Sequence, residues 1–216
     1  IIHLYEEYGE ECVRYLDGMF SFAVWDESNQ TLFVARDRIG IKPLYYFYDP
    51  YIFLCASELK SIIVHPSVSR DIDPVGIHQF LQHRFILPPK TIFRKIYKLP
   101  AGHYLKVRNG HPTIQEYWDV PIPTDRSKLE TQDLDSLYES IFCSLEESVK
   151  SHMISDVPIG AYLSGGIDSS AIVGLMAKNS TQPIKTFSVG FDSASKHLDE
   201  RHYSRQISKL FQTDHH

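Results

Sequence analysis

The segment Leu163-Ser164-Gly165-Gly166-Ile167-Asp168-Ser169-Ser170 places two adjacent glycines, three hydroxyls and one carboxylate within eight residues. Adjacent glycines permit a turn too tight for side chains. The turn follows an apolar run, Ile159 to Leu163, that reads as a buried strand, and it precedes a helix expected from Ser169 to Lys178. A strand–glycine turn–helix of this kind presents free backbone N–H groups and hydroxyls beside a helix N-terminus, which makes an anion site. It is not a Walker loop, because no Lys-Ser/Thr pair closes it, and the glycine spacing does not fit the dinucleotide fingerprint. The plainer reading is a glycine-rich strand-to-helix turn capped by Asp or Ser. A bare Ser-Gly-Gly would leave that reading ahead; the longer run in its strand–helix setting favours phosphate binding.

The surrounding elements suit such a site. Leu137, Ile141, Leu145, Val149 and Met153 recur every four residues, which predicts an amphipathic helix from Leu134 to Met153. Lys185 to Phe191 reads as a further strand and Glu200 to Phe211 as a final helix. Strand, loop, helix, strand, helix is the order of a parallel α/β sheet, which binds ligands beyond the carboxyl ends of its strands. Alone, Lys185 to Phe191 is a plain buried parallel strand.

The first half reads differently. Residues 1–16 form a predicted helix ending near Gly18. Phe20 to Asp26 and Thr31 to Arg36 form a predicted hairpin, and Pro43 to Tyr48 pairs with Tyr51 to Ser57 around Asp49-Pro50. Leu59, Ile62 and Ile63 give one helical face, and Asp73-Pro74 starts a second short helix through Phe80 and Leu81, which Pro88-Pro89 breaks. Extended pieces around Pro100-Ala101-Gly102 and Asn109-Gly110 follow. Pattern alone gives α+β with antiparallel sheet. Residues 119–133, with Pro121, Pro123 and the charges Asp125, Arg126, Lys128 and Glu130, read as a linker between domains 1–118 and 134–216.

Bulk properties exclude more than they assign. A net charge of −5 carries no basic field for nucleic acid or an anionic membrane. No apolar run has the length of a membrane span. Three well-separated cysteines, Cys12, Cys55 and Cys143, suggest neither a disulfide framework nor a zinc knuckle, and fit a reducing cytoplasm. Both ends read as cuts through a longer polypeptide.

Ser-Gly-Gly-Ile-Asp-Ser-Ser resembles the pyrophosphate loop of N-type ATP pyrophosphatases, and Asp156 to Gly166 resembles the approach to that loop in glutamine-hydrolysing asparagine synthetases. Leu16 to Ala23, Arg36 to Tyr46, Ala56 to Ser61, Leu99 to His103 and Tyr117-Trp118 resemble the second half of that family's class II glutaminase domain. The resemblance implies antiparallel sheets of an N-terminal-nucleophile glutaminase, incomplete, followed by an incomplete α/β ATP pyrophosphatase domain. It implies ATP and Mg²⁺ as cofactors and glutamine and aspartate as substrates, and leaves room for a homodimer. Leu163 and Val189 would flank adenosine, Ser164, Gly165, Gly166, Ser169 and Ser170 would bind pyrophosphate, and Asp168 would support Mg²⁺. Asp37, Arg38, Lys42 and Glu58 would brace the glutaminase, and Phe20, Phe22, Trp25, Tyr45 and Tyr46 would be core or interface aromatics. The family's N-terminal cysteine nucleophile has no counterpart here: Cys12 falls in a predicted helix and Cys55 in a strand. Related enzymes amidate other carboxylates, and a non-catalytic ATP-binding or scaffold fragment is the third reading.

Overall fold

The computed structural model describes residues 1–122, 133–190, 199 and 201–216. The charged stretch of the expected linker, the end of the strand at Phe191 and the helix start at Glu200 lie outside them. Two compact units divide the chain, Ile1–Ile122 and Pro123–His216.

In the first unit, α1 spans only Ile2–Tyr8, and a 3-10 segment, Gly9–Arg14, replaces the rest of the expected helix. Gly9 has φ +57°, which ends the helical path after two turns. Strands β1 (Ser21–Asp26) and β2 (Thr31–Arg36) form the expected hairpin. Strands β3 (Tyr45–Tyr48) and β4 (Phe53–Ala56) form the next, closed by Asp49, whose Oδ1 accepts from the N–H groups of Tyr51 and Ile52. Helices α2 (Leu59–Ile63) and α3 (Pro74–His83) follow. Asp73 caps α3 by accepting from the Val75 N–H. The helix runs through the expected Phe80 and Leu81 to His83 and is closed by Arg84, which takes the left-handed conformation (φ 64°). Then come β5 (Ile96–Lys98), β6 (His103–Arg108) and β7 (His111–Glu116). Asn109 and Gly110, both at positive φ, turn β6 into β7.

The strands make two antiparallel sheets, ordered β1-β2-β6-β7 and β4-β3-β5. Alternation along β2 explains how they stack. Phe33 and Ala35 face Cys12 and Val13 of the 3-10 segment, while Val34 faces Leu44, Tyr46 and Leu99 beside the second sheet. On the far side of that sheet, Phe47 and Ile96 pack on Ile62 of α2. The result is helix, sheet, sheet, helix, with a core in each gap. Of the expected core aromatics, Tyr46 is buried, Phe20, Phe22 and Tyr45 are half-buried, and Trp25 is exposed, at the edge strand β1.

The second unit contains α4 (Leu134–His152), β8 (Gly160–Tyr162), α5 (Ile167–Lys178), β9 (Lys185–Phe187), α6 (Arg201–Phe211) and β10 (Asp214–His215). The sheet is parallel, in the order β10-β9-β8. β10 was not expected from the sequence. Along α4 only Val149 of the apolar stripe is buried; it joins Leu175 and Met176 of α5 and Ile184. The strand expected to be buried, β8, is an edge strand of the described sheet: Tyr162 is 81% exposed, and only Leu163, just past it, is fully buried. No helix of the described residues is long and apolar enough to cross a membrane.

Candidate functional site

The glycine turn leaves the sheet at Leu163, whose N–H donates to the Phe187 carbonyl and fixes the end of β8. Gly165 then takes φ +84°. A Cβ there would lie 2.5 Å from Tyr203 Cβ and 2.7 Å from the Ser204 nitrogen, so the turn packs on the first turn of α6 and no side chain fits. Gly166 is the N-cap of α5, which begins two residues earlier than the sequence suggests, at Ile167. Asp168 and Ser169 therefore sit in the first helical turn.

Hydrogen bonds within the turn form a closed circuit. The Gly166 N–H donates to Ser164 Oγ (3.3 Å), the Ser164 and Ser169 hydroxyl oxygens are 2.9 Å apart, and Ser169 Oγ donates to the Gly166 carbonyl (3.2 Å). Ser169 gives its single proton to that carbonyl, so Ser164 donates to Ser169. The turn's own groups thus hold its shape. Gly166 makes no side-chain cap, which leaves the first N–H groups of α5 without the acceptor that an Asp or Ser N-cap supplies. Ser170 Oγ is buried and has no hydrogen-bond partner among the described residues, an unfavourable state for a hydroxyl. Uncapped donors, an orphan hydroxyl and a side-chain-free turn at a helix N-terminus fit a polyphosphate.

Asp168 is exposed in the first turn of α5. Among the described residues no cluster of three or more His, Cys, Asp or Glu could hold a metal, so a cation here would need oxygens from its ligand as well. Val189 lies just beyond β9 and is 69% exposed. The structure thus brings Leu163, Ser164, Gly165, Gly166, Asp168, Ser169 and Ser170 into one turn, with Val189 on the neighbouring strand extension beside Leu163.

Sequence reasoning passed over Thr186, Ser188 and His215. Ser188 Oγ donates to the Leu163 carbonyl at 2.7 Å and lies 3.3 Å from His215 Nε2; Thr186 Oγ1 lies 2.9 Å from His215 Nδ1. Ser188 lies within the expected strand Lys185 to Phe191, and its polar side chain among apolar neighbours is the available signal.

The first unit holds no comparable arrangement among its described residues. Burial pushes the thiols of Cys12 and Cys55 up, which is the reverse of an activated nucleophile. The turn after β2 is a brace. Asp37 is buried, its Oδ1 accepting from the Ile41 N–H and its Oδ2 from the Lys42 N–H, each at 2.9 Å. Burial would raise its pKa, but those bonds and neighbouring backbone donors at Gly40 and Phe20 outweigh it and hold the carboxyl below the usual carboxylate range. Arg36, which the sequence did not single out, donates to the carbonyls of Lys42 (2.8 Å), Leu99 (2.6 Å) and Gly40 (2.5 Å). Arg38 reaches Asp17 and the Arg14 carbonyl, and Glu58 pairs with Lys60.

Comparison with known proteins matches the two halves to two family models. Residues 1–118 match the glutamine amidotransferase domain, and residues 143–216 match asparagine synthase. The whole chain aligns at 32% identity with asparagine synthetase [glutamine-hydrolyzing] 3 of Bacillus subtilis, covering 36% of that protein. It aligns at 34% with putative asparagine synthetase [glutamine-hydrolyzing] 2 of Methanocaldococcus jannaschii, covering 41%. Amidase chry2 of Gibberella zeae is 33% identical over the whole chain, which covers 33% of it. The chain thus spans roughly a third to two-fifths of the length of these relatives. It belongs to the family in which a glutamine amidotransferase domain is joined to an asparagine synthase domain.

Proposed function

We propose that the protein synthesises L-asparagine from L-aspartate with ATP, taking nitrogen from glutamine, and that residues 163–170 and 189 form its nucleotide site. The observation that carries this reading is the self-supported Ser164–Ser170 turn, with its donors uncapped at the N-terminus of α5. Ser164, Gly165, Gly166, Ser169 and Ser170 hold the β- and γ-phosphates, and Leu163 and Val189 flank the adenosine. Asp168 would help hold a Mg²⁺ ion, which would offset the charge of the phosphates. Aspartate attacks the α-phosphate through its side-chain carboxylate, pyrophosphate leaves, and ammonia then displaces AMP from the β-aspartyl-adenylate. The contribution of this chain is positioning and electrostatic stabilisation of the departing pyrophosphate. The domains run from 1 to 118 and from 134 to 216, with 119–133 between them.

A second acceptor is worth a parallel arm, because the relative named an amidase matches the same span as the synthetases. The test is ATP–pyrophosphate exchange in the complete gene product, with aspartate present or omitted. Exchange that requires aspartate and collapses in Asp168→Ala supports the reading. Exchange that ignores aspartate and answers to another carboxylate moves it to a related amidotransferase. A folded protein without exchange under any condition leaves a non-catalytic scaffold.

A further inference from the structure

Thr186 and Ser188 lie two residues apart along β9 and its extension, and so share a face. His215 on β10 is registered against Thr186, and its ring reaches both hydroxyls. Proton counting gives the ring a direction. Ser188 Oγ spends its one hydrogen on the Leu163 carbonyl, so toward the ring it can only accept, and Nε2 donates to it. The other side of the ring is anchored: Thr186 is fully buried, its Oγ1 lies 2.8 Å from Thr213 Oγ1, and Thr213 Oγ1 lies 3.0 Å from Ser208 Oγ on α6.

This polar chain ends where the sheet opens. In a regular parallel ladder, the Leu163 N–H donates to Phe187 O, and the Val189 N–H then donates to Leu163 O. Only the first of these bonds is present. The Ser188 hydroxyl takes the Leu163 carbonyl instead, β9 stops at Phe187, and among the described residues the Val189 N–H makes no hydrogen bond.

We propose that His215 is a positioning residue for the nucleotide base: through Ser188 it keeps the ends of β8 and β9 parted, so that the backbone of Val189 faces the ligand beside Leu163. The inference rests on the nucleotide reading above and adds to it a part of the site that contacts no substrate. Loss of the ring frees the Ser188 hydroxyl to rotate and the Val189 N–H to close onto Leu163. The site for the base then suffers while the phosphate turn, on the other side of Leu163, does not.

The experiment measures ATP–pyrophosphate exchange in the complete gene product, with inorganic tripolyphosphate as an inhibitor that reports on the phosphate turn alone. His215→Ala is expected to raise the KM for ATP about tenfold, the scale of one lost hydrogen bond, with the maximal rate within about threefold and tripolyphosphate inhibition unchanged. His215→Gln, whose amide reaches as far as Nε2, is expected to restore the KM. His215→Asn, which reaches only toward Thr186, is not. Ser188→Ala should match His215→Ala. Wild-type exchange together with an unaltered KM in His215→Ala and Ser188→Ala would overturn the proposal. So would equal loss of ATP and tripolyphosphate binding in all the His215 variants, which marks a purely structural histidine. A wild-type protein that shows no exchange would contradict the nucleotide reading itself, and the proposal with it.

Discussion

Two glycine-containing turns leave strands of this molecule, and they dispose of their hydrogen-bonding capacity in opposite ways. After β2, the turn Arg36 to Lys42 turns inward. The Asp37 carboxylate accepts two backbone N–H groups, and the Arg36 guanidinium donates to three carbonyls, one of them 63 residues away. After β8, the turn Ser164 to Ser170 satisfies only what keeps its shape, leaving helix donors uncapped and one buried hydroxyl without a partner among the described residues. Both contain Gly in the left-handed region, Gly40 and Gly165. Glycine content therefore does not separate a brace from a ligand loop; the destination of the polar groups does.

Substitutions sharpen that contrast. The largest effect is expected from Gly165→Val, because a Cβ would sit 2.5 Å from Tyr203 Cβ at a φ of +84°. Nucleotide exchange should fall more than about 100-fold and the second unit should lose about 2–4 kcal/mol, read by exchange assay and urea denaturation. Asp37→Ala should act only on the brace. It strands the N–H donors of Ile41 and Lys42 and should cost about 1.5–3 kcal/mol, seen as a lower urea midpoint for the first unit with the KM for ATP unmoved. Asp168→Ala should show the converse: exchange down about 100-fold with a melting temperature within about 2 °C of wild type.

Smaller effects follow from titration and from the orphan hydroxyl. The Asp37 pKa is lower folded than unfolded, so its contribution is complete above the unfolded value of about 3.9 and is lost as pH falls through the lower folded value. An acid titration of the first unit, followed by tyrosine fluorescence, should lose stability below about pH 4, and Asp37→Asn should flatten that limb. Ser170→Ala should change stability by less than about 0.5 kcal/mol, since it removes a hydroxyl that has no hydrogen-bond partner among the described residues. It should still weaken ATP by several-fold, which calorimetric titration would detect.

What the sequence disclosed and what it withheld follow the range of the interactions. Local chemistry was legible: Asp73-Pro74 starts α3, Asn109-Gly110 turns β6 into β7, and the phosphate-like turn sits between β8 and α5 as read. Where a local cue had competitors it misled. Gly9, at positive φ, breaks the helix expected over residues 1–16. Non-local partners were invisible. β10 is two residues long and shows no periodicity, and its identity as a strand depends on Lys185 and Thr186 far upstream. Arg36 escaped notice because its partners are carbonyls, which carry no sequence signature. His215 escaped because its function depends on Ser188, 27 residues away.

Amide hydrogen exchange of the complete gene product, with and without Mg-ATP, tests the contrast between the two turns most directly. If the uncapped donors grip the nucleotide, amides of Ile167, Asp168 and Ser169 should slow by at least about tenfold on adding Mg-ATP, while those of Ile41 and Lys42 stay as slow as before. Unchanged exchange at 167–169 under saturating Mg-ATP would contradict the assignment of this turn to the phosphates.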